Sequence, residues 1–218
     1  SYRLKQAWAP VAVIDAGANL GYATLYFAMH NPVERILAIE ANENLAKKLG
    51  VTAASARTMG VDVRVALGAV LGRSRKVSFS VRENSRDSSL SELIEGKEVS
   101  VEGLRLSEWI ERSGFKDGDF RRRNLLKIDV EGAEYEILAE DPQAFSYANY
   151  LVGEIHGPSS ERDKFVGQLG TSFSPGERIV NSACHTVEVL YAEKLPAEAA
   201  VNAEGRAPNS PGNAAHRH

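Results

Sequence analysis

A short apolar run closed by an acid, Val-Ala-Val-Ile-Asp at residues 11–15, leaves this chain few folds to choose from. It leads straight into Ala16-Gly17-Ala18-Asn19-Leu20-Gly21, a loop of small residues. Helix-compatible apolar residues follow at 22–29 and stop at Asn31-Pro32. The pattern is strand, tight turn, helix. A second strand-like run, 35–40, again ends in an acid, Glu40, and Asn42 is placed to cap a helix with Leu45 and Leu49 on its inner face. Residues 61–67 read as a third strand, 124–130 as a fourth main strand and 150–156 as a fifth. Apolar strands that end in polar groups and alternate with helices predict a parallel α/β sheet covered on both faces.

The middle of the chain differs. No alanine occurs between Ala69 and Ala133, and β-branched and polar residues alternate there. Runs 77–81 and 99–106 predict strands around a polar stretch, 82–91, and together form a β-rich insertion too small to bury a core alone. Short helices are expected at 106–113, from 132 to 138 and at 160–169, and a closing hairpin at 178–181 and 186–192. One domain over residues 1–195 and a disordered tail over 196–218 follow from the loss of periodicity after Pro196.

Composition removes several function classes. With 26 basic against 29 acidic residues, the formal charge of −3 argues against a dedicated nucleic-acid binder or polybasic membrane-surface protein. The single cysteine, Cys184, excludes an intrachain disulfide framework and a multi-cysteine zinc site. No apolar run reaches the roughly 20 residues a membrane-spanning helix needs. The chain opens at Ser1 without a signal-peptide pattern, as a trimmed chain would, and cytoplasmic is the default location.

The loop after the first strand stands where a doubly wound sheet binds a nucleotide. Its spacing is not G-x-G-x-x-G, because Gly17 and Gly21 are four apart with Asn19 between them. Glycine here would let a ligand approach the backbone. Asp15 suits a ligand that carries a sulfonium or ammonium group, such as S-adenosylmethionine. Glu40, 23 residues after Gly17 at the end of the second strand, can accept both ribose hydroxyls. Asp15, Ala16, Gly17, Ala18, Asn19, Gly21, Glu40, Ala41 and, at the end of the third strand, Ala66 are the expected cofactor contacts, with adenine held by packing. The plain alternative is that many α/β turns contain glycine and many strands end in glutamate.

Lys127 and Asp129 share one strand face, as do Glu154 and His156. If the two strands are neighbours, four ionisable groups converge inside the sheet, and buried charge must be paired. Lys127 and Glu154 are expected to neutralise each other. Asp129, Glu154 and His156 are then the candidate catalytic residues, with His156 as general base at an ordinary pKa near 6.5 and Asp129 orienting it. A structural ion-pair network is the main alternative. A divalent cation on Asp129, Glu154 and His156 is chemically permitted, but no metal site is assigned. Glu134 reads as a helix-dipole acid, and Glu131 is open between a structural and a functional reading. Cys184 and His185 carry no spacing signal, and Arg121-Arg122-Arg123 reads as a solvated turn. Arg73, Arg75, Lys76, Arg82 and Arg86 are candidates to line an acceptor cleft.

Taken together, Val13-Ile-Asp-Ala-Gly-Ala-Asn-Leu-Gly21, Ala38-Ile-Glu-Ala41, Leu126-Lys-Ile-Asp-Val-Glu-Gly-Ala-Glu134 and Glu154-Ile-His156 resemble the FkbM-type methyltransferase family. The third motif is the most specific. The first is shared by many methyltransferases. The likeness spans about residues 11–192 and includes Ser88-Ser89-Leu90 in the insertion, although Ala41 stands where the family commonly has proline. It implies an α/β, Rossmann-like class I methyltransferase sandwich, with a mostly parallel seven-stranded sheet, an antiparallel last strand and S-adenosylmethionine as cofactor. It also implies O-methylation of a sugar, glycolipid or polyketide-type hydroxyl, with Asp15, Gly17, Asn19 and Glu40 on cofactor positions and Asp129 near the reaction centre. A nucleotide-binding oxidoreductase and a noncatalytic cofactor-binding module are the competing readings. An amine or nucleobase methyltransferase is disfavoured, because no Asp/Asn-Pro-Pro-aromatic run follows the fourth strand.

Overall fold

The computed structural model describes residues 4, 8–81, 97–114, 123–180 and 187–196. Strands β1 (Ala12–Ala16), β2 (Arg35–Glu40), β3 (Asp62–Leu67), β7 (Asn124–Ile128), β8 (Tyr150–His156), β9 (Phe173–Val180) and β10 (Val187–Lys194) form one sheet. Its order is β3-β2-β1-β7-β8-β10-β9. β10 runs antiparallel between β8 and β9, while β1, β2, β3, β7 and β8 are parallel. The expected class I arrangement is therefore present.

Alternating side chains explain the two-sided core. Val13, Ile36, Ala38 and Leu125 face one side with Phe27 of α1 (Tyr22–His30) and Leu49, Ala53 and Ala56 of α2 (Glu43–Thr58). Their sequence neighbours Ile14, Leu37, Ile39 and Leu126 face the other side. There they meet Leu106 and Trp109 of α3 (Leu106–Arg112), Ile137 of α4 (Glu134–Glu140) and Phe165 of α5 (Ser159–Leu169). Asn42 caps α2 as expected, its side chain accepting from the backbone N–H groups of Asn44 and Leu45 at 3.0 and 3.5 Å.

The insertion builds its own three-stranded sheet, β4 (Ala69–Leu71), β6 (Lys97–Arg105) and β5 (Arg75–Val81), with β6 central. β4 was not expected from the sequence. Its three residues are too few to show a period, and they are buried on both sides. β9 starts earlier than expected and contains Pro175 and Gly176, which an edge strand tolerates because one side of its ladder needs no donor. The polar stretch 82–91, with Arg82, Arg86 and Ser88-Ser89-Leu90, lies outside the described residues, as do Arg121, Arg122, Cys184, His185 and the segment 197–218. Among the described residues no helix is long and apolar enough to cross a membrane.

Candidate active site

The carboxyl ends of β1, β2 and β7 open into a cleft lined by Gly17, Asn19, Glu40, Ala41, Asp129 and Glu131. Ile39, Leu45, Gly68, Ala69, Val70, Leu71 and Val130 complete its wall.

Glu40 is fixed from two sides. Its Oε2 accepts the backbone N–H of Asn19 at 2.8 Å and its Oε1 that of Asn42 at 2.7 Å. A carboxylate has about four lone-pair sites, so each oxygen keeps acceptor capacity on the cleft side. Burial raises the Glu40 pKa, and the Asn42 and Asn19 hydrogen bonds oppose that rise. The peptide groups thus hold both carboxylate oxygens in place at the cleft wall.

The glycine loop is built differently from expectation. A Cβ on Gly17 would collide with the backbone carbonyl of Asp129, so this glycine, at φ 75°, admits the neighbouring chain as well as lining the cleft. The Asp129 N–H donates to the Ala16 carbonyl at 3.1 Å, which joins the loop after β1 to the end of β7. Asp15 is fully buried and does not line the cleft. It accepts from the Thr24 hydroxyl at 2.6 Å and pairs with Lys127 at 3.1 Å. The expectation that Asp15 meets the ligand directly is corrected. Strand register places it beside Lys127, and a buried carboxylate needs that cation. Ala16 and Ala18 are likewise buried in the core, and Gly21 and Ala66 lie outside the lining. The wall expected at Ala66 is supplied by residues 68–71, where the chain turns into β4.

Lys127 also departs from its expected pairing. Its nearest carboxylates are Asp15 and, at 3.5 Å, Asp129, with Glu154 contributing at longer range. Burial alone would lower the ammonium pKa, but Asp15 and Asp129 outweigh it and the net shift is upward. The same Nζ donates to the Gly17 carbonyl at 2.6 Å. One buried cation therefore ties the loop to both acids.

His156 and Asp129 do come together, with Nε2 4.0 Å from Oδ1. Nε2 also lies 3.5 Å from Glu131, and Nδ1 lies 2.8 Å from Oε1 of the fully buried Glu134. Burial lowers the imidazole pKa, but the Glu134 hydrogen bond and the charges of Glu134, Glu131 and Asp129 push it up to about 9. At neutral pH, with the site as it stands, the ring is a cation and cannot take a proton. The expected base with a pKa near 6.5 is thus corrected by the acids around it. Glu134 goes beyond its expected dipole role, holding both the imidazole and the Val130 N–H, the latter at 3.2 Å.

Asn19 and Glu131 are the non-glycine residues with positive φ among those described, both at 53°, and both line the cleft. For a non-glycine residue that conformation costs roughly 1–2 kcal/mol, and such strain clusters at functional sites. It sets Glu131 on the cleft wall. Arg73 and Arg75, candidates for an acceptor cleft, instead pair with Glu140 and Glu136 of α4 at 2.6 and 2.5 Å.

These residues fit S-adenosylmethionine. Glu40 suits its ribose diol, the apolar wall its adenine, and the acids at the far end its sulfonium. A family model described as the methyltransferase FkbM domain matches residues 15–183. Methyltransferase sdnD of Sordaria araneosa is 28% identical over 183 residues, 72% of this chain and 71% of that protein. Methyltransferase 1 of Beauveria bassiana (strain ARSEF 2860) is 32% identical over 146 residues, 58% of this chain and 56% of that relative. The solved methyltransferase FkbM of Methylobacillus flagellatus KT aligns with a TM-score of 0.57 at 14% identity, over 84% of this chain and 43% of that one. Streptococcus pneumoniae Sp1610, solved in complex with S-adenosyl-L-methionine, aligns with a TM-score of 0.51 at 13% identity, over 90% of this chain and 73% of that one. The structural likenesses carry the fold, and the domain match carries the family. The chain belongs to the FkbM family of S-adenosylmethionine-dependent methyltransferases.

Proposed function

We propose that this chain transfers a methyl group from S-adenosylmethionine to a hydroxyl of a sugar, glycolipid or polyketide-type small molecule. The observation that carries the reading is the Glu40 carboxylate, clamped by two backbone N–H groups at one end of a cleft whose other end is lined by Asp129 and Glu131. The bound cofactor supplies an activated methyl group on a sulfonium centre. The chain supplies position. Glu40 holds the ribose, and Asp129 and Glu131 favour positive charge where the sulfonium would lie. Asp129, rather than His156, accepts the hydrogen bond of the incoming hydroxyl, orients it for in-line attack and takes its proton as the new C–O bond forms. Orientation of this kind is worth about 7–11 kcal/mol at best. The choice of a hydroxyl rests on this acid-lined floor, together with the family resemblance read from the sequence. Family membership displaces the oxidoreductase alternative.

Calorimetry with S-adenosylhomocysteine and with NAD tests the cofactor half, and binding of NAD alone would overturn it. Glu40→Ala is expected to weaken S-adenosylhomocysteine by about 1.5–3 kcal/mol per lost hydrogen bond. Unchanged affinity would remove Glu40 from the site. Radiolabelled methyl transfer over a panel of sugars, glycolipids, polyketides and amines tests the acceptor half, and transfer to amines alone would refute it.

A further inference from the structure

Asp129, Glu154 and His156 present donor atoms within 4.8 Å of one another, from the end of β7 and from β8. All three are partly exposed, and Asp129 lines the cleft, so a small ion can reach them. The imidazole is set up as ligating histidines are. Its Nδ1 is held at 2.8 Å by Glu134, which leaves Nε2 turned toward Asp129 and Glu131. A carboxylate behind the ring fixes its orientation and raises the basicity of the free nitrogen. Glu134 gives a second, independent sign. It is fully buried, and its Oε2 has no hydrogen-bond partner, so its charge relies on the imidazole and on whatever cation the imidazole serves.

We infer that Asp129, Glu154 and His156 form a divalent-cation site at the acceptor end of the cleft, taking a metal such as Mn²⁺ or Zn²⁺ that accepts mixed oxygen and nitrogen ligands. Two carboxylates and one imidazole suit these ions better than a soft metal. Small side-chain rotations bring the donors to the roughly 2.0–2.2 Å from the ion that such ligands adopt. Binding replaces the proton on Nε2 and offsets the charge of the two ligating carboxylates. The inference goes beyond the proposed methyl transfer and is read without any acceptor.

The test uses the full chain after chelator treatment. Mn²⁺ is titrated in and the electron-paramagnetic-resonance signal of the free aquo ion is followed, while calorimetry records Zn²⁺. One ion per chain is expected, with affinity reduced at least tenfold in Glu154→Gln and in Asp129→Asn at unchanged melting temperature. Long-range ¹⁵N correlation spectra of the wild-type chain give a readout that needs no substitution, because Zn²⁺ must move the His156 Nε2 resonance and leave the Nδ1 bond to Glu134 intact. Absence of one-to-one binding by both ions, or an unmoved His156 resonance at saturating Zn²⁺, overturns the site. S-adenosylhomocysteine affinity, measured on the same samples, keeps a failure here distinct from a failure of the cofactor reading.

Discussion

Arg162, Glu188 and Arg178 meet where β10 packs between β8, β9 and α5, while Asp15, Lys127, Asp129 and His156 meet at the carboxyl ends of the central strands. Both groups contain fully buried charge. In the first, Glu188 lies 3.3 Å from Arg162 and 3.0 Å from Arg178, which also reaches Asp163 at 2.7 Å. Two cations meet two anions there, and the group borders neither Glu40 nor the cleft. In the second, the cluster opens into the cleft through Asp129 and Glu131. Balanced charge closed off by packing holds strands together. Charge that opens into a cleft is placed to meet a ligand, as proposed above.

Substitutions should separate the two groups by what they damage. Asp129→Asn is expected to reduce turnover by about 10²–10⁴, the usual range for a group that assists proton removal, while the urea midpoint moves little. A loss of stability that matches the loss of rate would make this cluster structural as well. Lys127→Met strands Asp15 and Asp129 without their cation, and breaking a buried pair in this way costs about 3–5 kcal/mol. Urea unfolding measures it, and a loss below 1 kcal/mol would show that another group neutralises Asp15. Glu188→Gln keeps the shape but loses charge-assisted bonds worth about 1.5–3 kcal/mol each. Its S-adenosylhomocysteine affinity should equal that of wild type, and a change there would erase the distinction between the clusters.

The smallest effects are in pH dependence, and the two groups should respond with opposite slopes. The Arg178 hydrogen bond, followed by its charge and the contribution of Arg162, holds the Glu188 pKa below the usual carboxylate range. Its contribution is present above the unfolded value near 4.3 and is lost as pH falls through the lower folded value. His156, raised to about 9, contributes fully below its unfolded value near 6.5 and loses that contribution as pH rises through 9. Urea midpoints of chelator-treated protein from pH 3 to 10 should therefore fall at both ends. Glu188→Gln should flatten the acid limb and His156→Asn the alkaline one. An alkaline limb unchanged by His156→Asn would place the raised pKa elsewhere.

Much of the fold could be read from alternation and capping. Val13 and Ile14 point to opposite cores because side chains alternate along a strand, and Asn42 announces α2 because a side-chain acceptor must satisfy its first N–H groups. The position of Glu40 on the cleft wall was legible for a similar reason, since it ends the second strand of a doubly wound pattern. The partner of Lys127 was not. Same-face logic permits a neighbour on either side, and only the β1–β7 register selects Asp15 over Glu154. Glu134 was hidden because an acid in the first turn of a helix has a sufficient local explanation. Glu131 gave no sign because its left-handed backbone, and so its place on the cleft wall, depends on the turn between β7 and α4. The role of Gly17 was only half visible, because the chain that would strike its Cβ is more than a hundred residues away in sequence.

Lys127 touches the carbonyl of Gly17, the carboxylate of Asp15 and the carboxylate of Asp129 with a single nitrogen. In the proposed reaction, a methyl donor resting on the first of these and an acceptor resting on the last would share one anchor. The gap between the two reactants would then be set when the protein folds, and any drift of the donor loop would drag the acceptor floor along with it.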